Sequence, residues 1–122
     1  MLIVDDSAVM RKIISRSFRE AGYSGDIVEA EDGKDALDKF QKDRFDLIIC
    51  DWIMPNMSGL EFVKRVRAQE FGKRIPILMI TSQGTLGKME EALRAGVDEY
   101  IVKPFTSSDL KQKLDKILKK GR

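Results

Sequence analysis

A parallel β-sheet covered by helices on both faces is the α/β fold class that this sequence predicts. Short β-like runs alternate with helix-like stretches from end to end, which is the pattern of successive βαβ units. The apolar run Leu47-Ile48-Ile49-Cys50 reads as a buried strand, and Leu2-Ile3-Val4 forms a second run of the same kind. At 122 residues the chain has the length of one domain, enough for a real core and too short for two comfortable ones. No repeat, low-complexity stretch or linker divides it, so a single domain over 1–122 without an attached output module is expected.

Strands are expected near residues 2–5, 27–30, 47–50, 76–80 and 99–102. After the first, Ser7 can cap a helix whose apolar positions Val9, Ile13, Ile14 and Phe18 recur at helical spacing, with Gly22 as its stop. The second helix runs from Gly33 to Lys42, with Ala36, Leu37 and Phe40 as its buried stripe. The third begins near Ser58 and turns Leu60, Val63 and Val66 inward, a stripe that Phe62 widens. The fourth, Leu86 to Ala95, stops at Gly96; it reads as the least hydrophobic of the five, which predicts the loosest packing. The fifth, Ser107 to Lys119, carries Leu110, Leu114, Ile117 and Leu118 on one stripe and many lysines opposite, a face read as solvated rather than as a surface for nucleic acid or lipid.

Composition removes whole classes of chemistry. The chain has no histidine, which excludes a Ser-His-Asp triad, a Cys-His pair and a histidine-ligated metal. Its one cysteine, Cys50, has no internal partner and sits in an apolar run, as a buried thiol does. Hydrophobic residues make up 43% and charged residues 34%, the balance of an ordinary globule. The formal net charge of +2 is scattered and argues little for nucleic acid. No apolar run approaches the roughly 20 residues that span a bilayer, and no signal peptide is visible, so cytoplasmic residence is the expectation.

Right-handed crossovers place every strand-to-helix loop on one edge of such a sheet, where ligands of open α/β sheets bind. Asp5, Asp6 and Asp51 end strands there, and Thr81 and Lys103 end two more. Taken singly these residues have plainer uses: Asp6 and Ser7, or Thr81 and Ser82, as helix caps, and Lys103 as a surface lysine. Taken together they do not, because three packed carboxylates resist ionisation unless something cationic sits among them. A divalent ion would resolve the repulsion, and all-oxygen ligation selects Mg²⁺, Mn²⁺ or Ca²⁺. A hydroxyl and a lysine beside it suit phosphoryl oxygens, and an aspartate can serve as nucleophile in phosphoryl transfer.

The strings LIVDDS and DWIMPNMSG, Thr81 within MITS, and VKPF at Val102 to Phe105 resemble the receiver domain of two-component response regulators, over essentially the whole chain. DWIMPNMSGLE and KPFT are most similar to the stand-alone chemotaxis members of that family. The resemblance implies a flavodoxin-like, doubly wound five-stranded sheet in the order 2-1-3-4-5 with five helices. It implies that Asp51 accepts a phosphoryl group from a sensor histidine kinase. Asp5, Asp6, Asp51 and the backbone carbonyl of Ile53 would form the Mg²⁺ site, Asp5 largely through water, while Thr81 and Lys103 hold phosphoryl oxygens. Thr81 and Tyr100 would be the switch residues, Thr81 drawn toward the site and Tyr100 turning inward on phosphorylation, to signal through the face of helix 4, strand 5 and helix 5. Read without the family, Tyr100 is a core aromatic. A cis Lys103-Pro104 bond is likewise implied, where the sequence alone favours trans. The implied target is a downstream protein, with the flagellar motor switch as the leading one; no DNA-binding domain is implied. Ile53 and Gln83 depart from the family pattern at two places that tune hydrolysis.

Two other chemistries fit less well. A haloacid-dehalogenase-type phosphatase needs an acid two residues after its nucleophile, where Ile53 stands. A flavodoxin-type FMN carrier needs a phosphate cradle, and Asp5-Asp6-Ser7-Ala8 would repel the phosphate. Within the receiver reading, a phosphorelay intermediate, a phosphate sink and a phosphorylation-independent binding module are the alternatives to a chemotaxis or motility switch.

Overall fold

A computed structural model describes residues 1–82 and 84–120, the last three by backbone alone; Gln83 and the Leu118 side chain lie outside the described residues. Strands β1 (Leu2–Val4), β2 (Val28–Ala30), β3 (Ile48–Cys50), β4 (Ile77–Thr81) and β5 (Glu99–Val102) alternate with helices α1 (Ala8–Glu20), α2 (Gly33–Lys42), α3 (Gly59–Arg67), α4 (Leu86–Ala95) and α5 (Ser107–Lys120). All four strand pairings are parallel, in the order β2-β1-β3-β4-β5. The chain moves from β1 to β2 on one side and returns to β3 on the other, so the order reverses between the ends of β1 and β3. No helix among the described residues is long and apolar enough to cross a membrane.

Because successive strand side chains point to opposite faces, β1, β3, β4 and β5 each feed two cores. Leu2, Val4, Ile48, Cys50, Ile77, Met79 and Tyr100 pack with Ala36, Phe40, Phe62, Val63, Val66 and Ala92 from α2, α3 and α4. Ile3, Leu47, Ile49, Leu78, Ile80 and Ile101 pack with Ile14, Phe18, Leu110, Leu114 and Ile117 from α1 and α5. Side-chain caps start the helices as their sequences suggest: Ser7 accepts from the Met10 amide, Asp32 from Asp35 and Ser58 from Glu61. The cap of α4 is Thr85 rather than Thr81 or Ser82, because β4 runs through Thr81 before the chain turns.

Two helical expectations need correcting. Val9 is 69% exposed and Ile13 is exposed as well; α1 buries Ile14, Ser17 and Phe18, since a stripe reaching back to Val9 is wider than the face the sheet covers. Helix α4 does bury little, only Ala92, but not for lack of apolar residues. Leu86 and Leu93 are 72% and 50% exposed, so the helix is thinly packed because its leucines point outward.

Phe40 is wholly buried. Phe40→Ala should therefore lose about 3–5 kcal/mol in urea unfolding, whereas Leu93→Ala should change stability by less than about 1 kcal/mol.

Candidate functional site

The strand ladders continue past their ends and fix the backbone of the rim. The Asp51 amide donates to the Val4 carbonyl at 3.0 Å, the Asp5 amide to Ala30 at 3.1 Å, and the Lys103 amide to Thr81 at 2.9 Å. Asp5, Asp51 and Lys103 are thus held at the ends of three strands by the same hydrogen bonds that build the sheet. The Lys103 ammonium lies 3.1 Å from Asp5 Oδ2 and 3.1 Å from Asp51 Oδ2. The remaining oxygens are also occupied: Asp5 Oδ1 accepts from the Ser7 amide at 2.9 Å, and Asp51 Oδ1 from the Trp52 amide at 2.7 Å. Arg11, tied to Glu29 at 2.8 Å, donates to the Asp5 carbonyl at 2.6 Å and steadies that turn from below.

Asp6 completes the cluster from an exposed position: one carboxylate oxygen from each of Asp5, Asp6 and Asp51 lies within 4.8 Å of the others. Three carboxylates against one ammonium leave two negative charges. Burial pulls the Lys103 ammonium toward deprotonation, but its hydrogen bonds and the charges of Asp51 and Asp5 outweigh that and raise its pKa. Hard oxygen donors with a residual charge of two fit a divalent cation of the magnesium type. Cys50 is a bystander: burial first, and then the charges of Asp51 and Asp5, push its thiol well above the usual range.

The loop after Asp51 is pressed against the strand end. The Gly59 amide donates to the Trp52 carbonyl at 2.7 Å, and a Cβ on Gly59 would collide with the Asp51 carbonyl, so only glycine fits there. Ile53 is 58% exposed and turns its side chain away from the core. Thr81 is fully buried at the end of β4, paired in register with Val102. Tyr100 is buried in the core shared with α4. Burial, and then the charge of Asp51, raises the Tyr100 hydroxyl's pKa. The Lys103–Pro104 bond is cis, as the family resemblance implied.

A family description, the response regulator receiver domain, matches residues 1–115. This chain belongs to the response regulator receiver family. Among curated receivers it is 47% identical to chemotaxis protein CheY1 of Helicobacter pylori, covering 97% of this chain and 95% of that one. It is 45% identical to chemotaxis protein CheY-3 of Vibrio cholerae, covering 98% and 92%. Among solved structures it matches a receiver domain of a sensor histidine kinase from Pseudomonas aeruginosa, which has a magnesium ion coordinated in its active-site cleft, with a TM-score of 0.85 and 31% identity over 97% of this chain and 95% of that one.

Several residues of this receiver escaped the sequence reading. Lys88 of α4 places its ammonium 5.0 Å from the centroid of the Trp52 ring, an attraction worth about 0.5–1 kcal/mol at an exposed site. It links α4 to the residue after Asp51, and nothing in the spacing of 52 and 88 announces it. Asn56 and Asp32 are joined across the rim at 2.8 Å; the short polar Asn56 inside MPNM was the available signal, being a residue that tolerates positive φ.

Lys103→Met should destabilise the metal-free receiver by about 3 kcal/mol at neutral pH, since it leaves the buried Asp5 and the partly buried Asp51 without their cation. A lysine whose pKa is raised by folding contributes fully below its ordinary value of 10.5 and loses that contribution as pH rises through the folded value. The gap between wild type and variant in urea midpoint should accordingly narrow above that pH. Tyr23, pushed up to about 12 by burial and by Asp46, titrates in both proteins, so the difference is what tests the claim; a gap that widens would contradict it.

Proposed function

We propose that this chain is a phosphorylation-activated switch of a two-component system, probing its kinase through Asp51. The observation that carries the proposal is the Lys103 ammonium held midway between Asp5 and Asp51, which gives one cation to a rim of three acids. Asp51 is the acceptor because its carboxylate ends a buried strand at the order reversal, held from two sides. One of its oxygens attacks the phosphorus of a phosphohistidine on a sensor histidine kinase. The new O–P bond forms as the N–P bond breaks, and the electron pair returns to the imidazole nitrogen, which takes up a proton. Lys103 and Thr81 hold the transferred oxygens.

Asp5, Asp6, Asp51 and the Ile53 carbonyl would hold Mg²⁺, which supplies charge neutralisation for the phosphoryl oxygens when bound. The magnesium ion in the cleft of the Pseudomonas receiver supports that assignment. The chain turns over only its own phosphoryl group and otherwise signals by shape.

Signalling is assigned to the face of α4, β5 and α5. Phosphorylation adds charge beside Thr81 and shifts a pre-existing equilibrium that includes the buried Tyr100 ring. The outward leucines of α4 and exposed Val102 offer apolar surface there, and the chemotaxis names of the relatives favour a motility target, with the flagellar motor switch first. Ile53 offers no polar side-chain group to orient a hydrolytic water, so the phosphoryl group should be long-lived.

With Mg²⁺ and acetyl phosphate or beryllofluoride, Trp52 fluorescence should change in the wild type and stay unchanged in Asp51→Asn. Ile53→Asn should shorten the phosphoryl lifetime after donor removal. Absence of a fluorescence change in the wild type together with absence of Mg²⁺ binding would overturn the switch.

A further inference from the structure

The strained segment of this fold is the turn Pro55-Asn56-Met57, two residues beyond the Ile53 carbonyl. Asn56 is the one non-glycine residue with positive φ, 69°, among the described residues, and the Met57 amide donates back to the Pro55 carbonyl at 2.7 Å. A hydrogen bond spanning two residues around a positive φ is a γ-turn of the rare, strained kind. Backbone held in such a region persists only where its surroundings over-determine it.

Those surroundings lie on α2. Asn56 Nδ2 donates to Asp32 Oδ2 at 2.8 Å, while Asp32 Oδ1 accepts from the Asp35 amide at 2.7 Å. One buried carboxylate therefore caps α2 and grips the turn. Beside it, a Cβ on Gly33 would come within 2.8 Å of both Cβ and the carbonyl oxygen of Met57, so the turn sits directly on the first residue of α2. The far end of the same loop is fixed by the Gly59 bond to Trp52. Residues 53–57 are thus pinned at both ends, and among the described residues the Asp32 grip is the one side-chain hydrogen bond that Asn56 makes.

We propose that Asn56 and Asp32 are positioning residues for the metal site: their hydrogen bond holds the strained turn so that the Ile53 carbonyl is presented to the acidic cluster. The inference rests on the metal site of the proposed function and extends it to two residues that touch neither metal nor phosphoryl group. Groups that orient metal ligands from behind typically change affinity by about 10–100-fold when removed.

Two substitutions separate the grip from the fold. Asn56→Gly keeps the positive φ but loses the amide. Asp32→Ser keeps a good cap for α2 but is too short to reach the turn. Mg²⁺ affinity by titration calorimetry should fall about tenfold in each, at the low end of that range. The double variant should be no weaker than either single, because both remove the same bond. Amide exchange at Ile53, Met54, Asn56 and Met57 in metal-free protein should quicken equally in both, while that of β1 and β3 stays unchanged. Mg²⁺ affinity undiminished in both variants overturns the inference and leaves the metal site standing, as does a double variant whose losses multiply. A wild type without Mg²⁺ affinity overturns the metal site and the inference together.

Discussion

The Lys103 ammonium stands 3.1 Å from carboxylate oxygens at the ends of two different strands, and the rim of the sheet is organised by that arrangement. Asp5 follows β1, Asp51 follows β3 and Lys103 follows β5, so the contact ties one edge strand to two of the three inner ones. Without it, two carboxylates would sit nearly out of water with only amide donors for company, an arrangement in which ionisation is expensive. With it, the cluster retains enough negative charge to want a divalent cation and enough positive charge to tolerate its absence.

The sheet supplies rigidity to that site at no additional structural expense, because its ladder bonds extend to the Asp5, Asp51 and Lys103 amides. The helices differ in how firmly they follow. Helices α2 and α3 bury phenylalanines against the sheet, whereas α4 commits only Ala92 and touches the rim through Lys88 over Trp52. A loosely packed helix that touches Trp52, the residue after Asp51, is the element a local charge change at the rim can bias most readily. The buried Tyr100 ring belongs to the same layer as Ala92, so strand and helix can respond together.

Most of this was legible in the sequence because a parallel sheet makes its strands nearly all apolar and its polar strand ends conspicuous. Each strand falls within a residue or so of its expected bounds, and the three acids converge because crossover handedness puts their loops on one edge. The legible part ends where a contact depends on the relative height of two helices or on a single torsion. Val9 and Ile13 share a helical stripe with Ile14, yet only Ile14 is reached by the sheet. The outward leucines of α4 follow from a rotation that periodicity leaves open. The Asp32–Asn56 bond spans 24 residues and depends on one positive φ, which spacing does not encode. Lys103 fell between the two cases: its sequence position placed it on the rim, but only the fold shows it serving both acids.

The measurement that tests the central claim most directly is to place the phosphoryl group. The protein would be incubated with acetyl phosphate with and without Mg²⁺, trapped by borohydride reduction of the acyl phosphate, and mapped by peptide mass spectrometry. The account predicts a single reduced residue, Asp51, labelled only when Mg²⁺ is present. Label on Asp5 or Asp6, or label at Asp51 that is indifferent to the metal, would contradict it.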